Sequence, residues 1–142
     1  MNQSTLKRSL FFLAIFACIQ LPIAALAQPA ARSDYESIKV KRFLADRKTT
    51  VSNPKDIASK LFILDRESEG RKSDGISVEY PTRETAVIVH TVIGLADDSV
   101  AAMQHRIELA FRQNKWEILW IGRQSRCQPG RGHQNWAAGR CQ

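Results

Sequence analysis

The segment RCQPGRGHQNWAAGRCQ, residues 126–142, sets recognition-type side chains between two thiols. Arg126, Arg131 and Arg140 supply positive charge, His133 and Gln134 supply hydrogen-bonding groups, and Trp136 supplies a stacking surface. Held on one loop, such groups could contact an anion or a sugar ring. Cys127 and Cys141 are read as a structural disulfide, because closing a loop of about 15 residues stabilises a fold by about 3 kcal/mol, mostly through the unfolded state. A metal pair with His133 lacks one ligand, and a redox-active pair would need the much shorter C-x-x-C spacing. The competing reading of the loop is a solvated basic terminus whose Trp136 tucks against the rest of the fold.

A second constellation is His90 with His105. Brought together, two imidazoles could share a metal ion or act as acid and base in a pocket. No third ligand for a metal can be identified, and no cofactor is expected. The bland reading places both rings at the rim of a core, where they disfavour simultaneous protonation. Other chemistry is scarce: the chain has no nucleophile elbow, Walker loop, HExxH, EF-hand loop or dinucleotide fingerprint. Asp97-Asp98-Ser99 reads as a hairpin turn, and Ser73-Asp74-Gly75 as a turn before a strand.

The front of the chain sets the conditions for the disulfide. Lys7 and Arg8 precede an apolar run from Leu10, and Ala25-Leu26-Ala27 offers small residues before Gln28, the pattern of a secretory leader over 1–27. A membrane anchor is the alternative, but Gln20 and Pro22 interrupt a run already shorter than the ~20 residues a spanning helix needs. A lipid-modified Cys18 is a further option, with bulky Phe16 where such signals carry a small residue. Cleavage after Ala27 leaves Cys127 and Cys141 as the cysteine complement of a periplasmic or secreted protein. The full chain has 21 Lys and Arg against 14 Asp and Glu, a net of +7. Beyond Gly122, Arg123, Arg126, Arg131 and Arg140 face no acid, so the basicity belongs to the tail.

The elements that must position these residues follow from periodicity. Residues 28–142 suffice for one small α+β domain, with 122–142 as its basic tail. Ser33-Asp34-Tyr35-Glu36 fits a capping box for a helix over Asp34–Ala45, although Ile38 and Val40 also alternate like a strand. Asn53-Pro54-Lys55-Asp56 caps a firmer helix that gathers Ile57, Leu61 and Leu64 on one face beside Ala58 and Phe62. Asp65 to Gly75 reads as a charged connection.

Four strands then form an antiparallel meander with the helices on one face, an arrangement like cystatin or the nuclear-transport-factor-2-like (NTF2-like) domains. A hairpin centred between Asp97 and Asp98 sets Val92 opposite Met103, His90 opposite His105, Ile88 opposite Ile107 and Ala86 opposite Leu109. A second, centred between Gln113 and Asn114, sets Phe111 opposite Trp116, Leu109 opposite Ile118 and Ile107 opposite Trp120. Ile76–Tyr80 is the fourth strand, and keeping Ile76 and Val78 on the same face requires a three-residue loop or a bulge near Pro81. Trp116 and Trp120 then share a face and read as core packing rather than a stacking platform.

GLADDSVAAMQHRIEL, WEILWIGRQSRC and GRGHQNW followed by Cys141 resemble the ending of a group of small uncharacterised secreted bacterial proteins. The resemblance covers about the second half of the mature chain and implies an exported protein with a disulfide tail; it supplies no activity. Three functions are compatible with these residues. The favoured one is a non-enzymatic envelope module whose tail, through Arg126, Arg131, His133, Gln134, Trp136 and Arg140, binds an anionic envelope polymer or a protein; nucleic acid is disfavoured. The second is a pocket protein or enzyme around His90 and His105. The third is an adaptor using a sheet edge or the polar face carrying Arg106 and Glu108.

Overall fold

Alternation of inward and outward side chains from Ile76 onward builds an antiparallel sheet, and one short upstream segment adds a strand to it. The computed structural model describes residues 32–47, 51–63 and 70–142. The expected leader and Leu64 lie outside these. The strands are β1 Glu36–Ile38, β2 Ser73–Thr82, β3 Thr85–Ile93, β4 Val100–Arg112 and β5 Lys115–Cys127, in the spatial order β1-β5-β4-β3-β2. The sheet therefore has five strands rather than four. Helix α1 spans Val40–Asp46, and α2 spans Pro54–Ala58 before continuing as a wider π-type turn over Ser59–Ile63.

The helices lie on one face because their apolar stripe meets the apolar side of the strands. Phe43, Ile57, Ala58, Leu61 and Phe62 close over Ala86, Ile88, Ile107, Leu109 and Ile121 in one buried cluster. Fully burying each aliphatic side chain of this kind contributes about 1.5–3 kcal/mol. The α2 start follows the sequence reading: Asn53 Oδ1 accepts from the Asp56 amide at 3.0 Å, and Pro54 occupies the first turn. None of the described helices is long and apolar enough to cross a membrane.

The β3–β4 register has Val92 opposite Met103, His90 opposite His105, Ile88 opposite Ile107 and Ala86 opposite Leu109, as the alternation requires. At the other hairpin Gln113 and Asn114 both take positive φ, 49° and 61°, the conformation of a two-residue turn that matches strand twist. Phe111 faces Trp116 and Leu109 faces Ile118. A register shift between Glu79 and Thr82 supplies the bulge expected near Pro81, and Ile76 and Val78 pack on the core.

Four expectations are corrected. Ile107 faces Ile121 and not Trp120, because an extra residue on β5, Leu119, separates the Glu108–Trp120 and Leu109–Ile118 pairs. The bulge keeps fully buried Ile121 in the core and turns Trp120 to the opposite face. There its ring meets Tyr35 edge-on at 5.7 Å and lies over Gly122, where a Cβ would also crowd the Tyr35 Cβ at 2.7 Å. Trp116 and Trp120 therefore do not share a face.

Of the helix expected over Asp34–Ala45 only the second half forms, as α1; the first half is replaced by a short 3-10 turn, Arg32–Asp34, and then by β1. Glu36 forms an ion pair with Arg123 across β1 and β5 at 2.6 Å, and Ser37 and Ile38 pair with Gly122 and Ile121. That cross-strand pairing gives β5 an outer neighbour, which a local capping box does not. Ser73-Asp74-Gly75 is not a turn but the start of β2, opposite Thr91–Ile93. Finally, β5 does not stop at Gly122 but runs to Cys127, so Arg123 and Arg126 stand on a strand and the tail proper begins at Gln128.

Candidate functional site

The tail folds into a clasp on the end of the sheet. Cys127 and Cys141 are disulfide-bonded, with their Cα atoms 5.4 Å apart. Past β1, the outer edge of β5 is covered by the tail itself: Ser125 and Ala137 exchange both backbone hydrogen bonds, and the Cys127 amide donates to the His133 carbonyl at 2.9 Å. The clasp is also tied to the β3–β4 turn, since the Gln128 amide donates to the Ser99 carbonyl and the Ser99 hydroxyl donates to the Gln142 carbonyl. Asp97 behaves as the turn reading requires. Its carboxylate accepts from the amides of Ser99 and Val100, and these bonds hold it below the ordinary carboxylate range.

Most of the tail's candidate recognition groups are engaged inside it. The two ring nitrogens of His133 face the carbonyls of Asn135 and Gly139, at 2.9 and 3.1 Å. Gln134 Nε2 donates to the carbonyls of Gln128 and Gly132. The Arg126 guanidinium lies over the half-buried Trp136 ring at 5.2 Å. Arg131 and Arg140 are exposed. The one group of three metal-ligand side chains among the described residues is Cys127, His133 and Cys141, and its two sulfurs are bonded to each other.

On the helix-bearing face, α1 and α2 cover the middle of the sheet and stop short of the end near the clasp. Three adjoining cavities of about 580, 290 and 230 Å³ open there. His105 and Arg47 line the first and third, Met103 lines the second and third, and Glu36, Arg123 and Arg140 line the first and second. They adjoin through these shared residues and are described together as the cleft, with apolar side chains and the His105 imidazole among their lining. Around it Lys39, Arg42, Arg47, Arg71, Arg123 and Arg140 are balanced only by Glu36, Asp46 and Asp74.

His90 and His105 meet in this cleft, their rings nearly parallel with centroids 6.3 Å apart. Phe62 stacks on His90 at 4.2 Å, and Phe43 leans on His105. His90 Nε2 lies 2.6 Å from Asp74 Oδ1, and Asp74 also takes Arg71 Nη1 at 2.8 Å. Burial pushes the His105 pKa down to about 3, aided by the positive charges of Arg47, His90 and Arg123. Burial also lowers the His90 pKa, against an opposing pull from Asp74. Both rings are therefore neutral at pH 7. At the cleft mouth the Arg123 guanidinium, with help from Arg140, holds the Glu36 carboxyl below its usual range.

The opposite face offers less. Glu108 accepts from both Arg106 and Arg32, and Arg32 also covers the Trp120 ring at 5.2 Å. Tyr35 donates to Gln104, which also accepts from Gln124 and donates to Thr91. The polar surface read for an adaptor is thus knitted together and partly roofed by the Arg32–Tyr35 segment.

The sequence reading brought His90 and His105 together correctly and missed their companions. Asp74 was hidden by the turn reading; stepping the Ile76–Val78 alternation back by two places it on the same face, beside His90. Phe62 was assigned to the helix stripe, with no signal linking it to an imidazole. Met103 shares the β4 face of His105 by the same alternation, whereas Arg47 and Arg71 converge only through tertiary packing.

Fold and site together define a small α+β protein with a cleft rich in cationic side chains beside a disulfide-closed clasp. Comparison with protein-family models, with curated proteins and with solved structures finds no match to the chain.

Proposed function

We propose that the protein is an exported, non-enzymatic binding protein whose site is the sheet-face cleft and whose ligand is a small anion with an apolar body. The observation that carries this reading is that three adjoining cavities share His105, Met103 and Arg123 pairwise as lining residues, with six cationic side chains against two acids, Glu36 and Asp46, on the walls. Apolar walls bind the body of such a ligand while a few placed charges orient it, and the part nearest the histidines, about 230 Å³, suits something smaller than a drug-sized molecule. Helices on one face of an antiparallel sheet with a pocket between them fit a cystatin-like or NTF2-like architecture, a likeness that carries no function by itself. The leader pattern, the disulfide and the tail's resemblance to secreted bacterial proteins support export to the periplasm or beyond. In this reading the tail is a wall of the site and not its recognition loop, since His133, Gln134, Arg126 and Trp136 face one another or the tail backbone.

The test is calorimetric titration of residues 28–142 with benzoate, octanoate and phenyl phosphate at low and physiological salt. Saturable one-to-one binding of at least one probe, weakened about tenfold by Arg47→Gln with Arg140→Gln, supports the cleft. No saturable binding, or binding indifferent to those substitutions, sinks it. Loss of binding only on Arg131→Ala with Trp136→Ala, the fold being intact, transfers recognition to the tail.

A further inference from the structure

The 230 Å³ cavity beside the histidines differs in lining from its larger neighbour. Among the described residues, Phe62, Val92, Leu95 and Met103 give it apolar walls, and the rings of His90 and His105, both neutral at pH 7, add surface without charge. Its two cations are Arg47 and Arg71, and Arg71 pairs with Asp74 at 2.8 Å. The 580 Å³ cavity next to it gathers Lys39, Arg42, Arg47, Arg123 and Arg140 against Glu36 and Asp46. Both of those acids are already answered, Glu36 by Arg123 at 2.6 Å and Asp46 by Arg42 at 3.9 Å. His105 and Arg47 border both cavities. A ligand laid at that border meets positive charge at one end and apolar side chains at the other. Size limits the apolar end: at about 30 Å³ for each water- or methylene-sized group, 230 Å³ holds about six to eight of them.

We propose that the ligand is a straight-chain monocarboxylate of about six to eight carbons, its carboxylate held beside Arg47 at the border and its chain filling the apolar cavity. This rests on the cleft reading above and narrows its ligand to one class. The aromatic rings stack on one another, Phe62 on His90 at 4.2 Å and His90 nearly parallel to His105, which leaves Val92, Leu95 and Met103 as an aliphatic surface suited to a chain. Phe62 stands on the turn after α2, Val92 on β3, Leu95 in the β3–β4 loop and Met103 on β4. Walls drawn from four elements bound the space on several sides, so the cavity fills at a definite chain length where an open groove would not. Leu95 and Met103 are the residues that set that length.

The experiment titrates residues 28–142 calorimetrically with the even-numbered straight-chain carboxylates from butanoate to dodecanoate at physiological salt, with benzoate and phenyl phosphate alongside. Affinity is expected to rise about fourfold per methylene while the chain is being buried, and to stop rising near octanoate, where the cavity is full. Leu95→Trp takes up space and is expected to move that break about two carbons shorter, whereas Met103→Ala makes space and moves it longer. Arg47→Gln is expected to weaken every chain by a similar factor, about tenfold, without moving the break, because it acts on the carboxylate alone. Affinity that climbs steadily through dodecanoate, affinity indifferent to chain length, or a break that stays in place in both cavity variants overturns the inference and leaves the cleft reading standing. So does saturable binding of benzoate or phenyl phosphate with no binding of any chain. Saturable binding of none of these probes, or binding indifferent to Arg47→Gln with Arg140→Gln, removes the cleft reading and this inference with it.

Discussion

The clasp and the cleft adjoin each other at one end of the sheet and are built from the same residue types, arginine and histidine with an aromatic partner. In the clasp, His133 directs both ring nitrogens at main-chain carbonyls and Arg126 lies on Trp136. In the cleft, His90 engages one nitrogen with Asp74 and leaves the other buried without a partner, and Phe62 rather than a cation lies on its ring. Residue type alone made the two regions look alike, with the tail ahead. What separates them is their surroundings: the tail's groups pair with one another and with its own backbone, whereas the two imidazoles of the cleft line a cavity.

Truncating the cleft's aromatic floor should have the largest effect. Phe62→Ala removes a fully interior ring from both the core and the His90 stack, and a loss of about 3–5 kcal/mol in chemical denaturation is expected. A loss under 1 kcal/mol would mean that the ring is not packed as described. Next comes the clasp. Cys127→Ser with Cys141→Ser should cost about 3 kcal/mol and, because Ala138–Cys141 line part of the cleft, should also weaken probe binding. Unchanged binding in a destabilised variant would uncouple the two regions.

Acid should separate the histidines. The unfolded His105 takes up its proton near pH 6.5, the folded one only near pH 3, so between these values the unfolded chain binds more protons. Stability is complete above about pH 6.5 and falls as pH drops through that window, by up to ~1.4 kcal/mol per unit. Glu36 and Asp97, held below their ordinary values of 4.5 and 3.8, add losses that begin as pH falls below those values, in the acid half of the same window. His105→Leu should flatten the slope between pH 6.5 and 5, where His90 contributes the remainder; a slope unchanged by that substitution would show that His105 is not buried neutral. The smallest effect is expected at Arg131, exposed on the clasp: Arg131→Ala should change stability by no more than about 0.5 kcal/mol. A loss beyond 1 kcal/mol would mean that Arg131, too, is part of the scaffold.

Much of the sheet was legible because side-chain alternation and turn position specify register. Four pairs across β3 and β4, including His90 with His105, follow from centring one hairpin. The same reasoning failed one step beyond Leu109, since a bulge at Leu119 has no local signature: it appears when fully buried Ile121 takes the core place that alternation assigns to Trp120. Strand β1 was masked by a plausible capping box, because its partner lies more than 80 residues away and local propensity carries no information about that distance. The clasp's disulfide was legible from the expected leader and the cysteine number. That its histidine and glutamine turn inward was not, since a short glycine-containing loop can present such side chains either way.

The most direct test of the cleft as the recognition site is to follow proton–nitrogen correlation spectra of residues 28–142 while titrating the tightest-binding anionic probe. Shifts centred on the amides of Phe62, Met103, His105 and Arg123, with Arg131 to Trp136 silent, are what the cleft requires. Shifts centred on Arg131 to Trp136, with Met103 and His105 unmoved, would contradict it and return recognition to the tail.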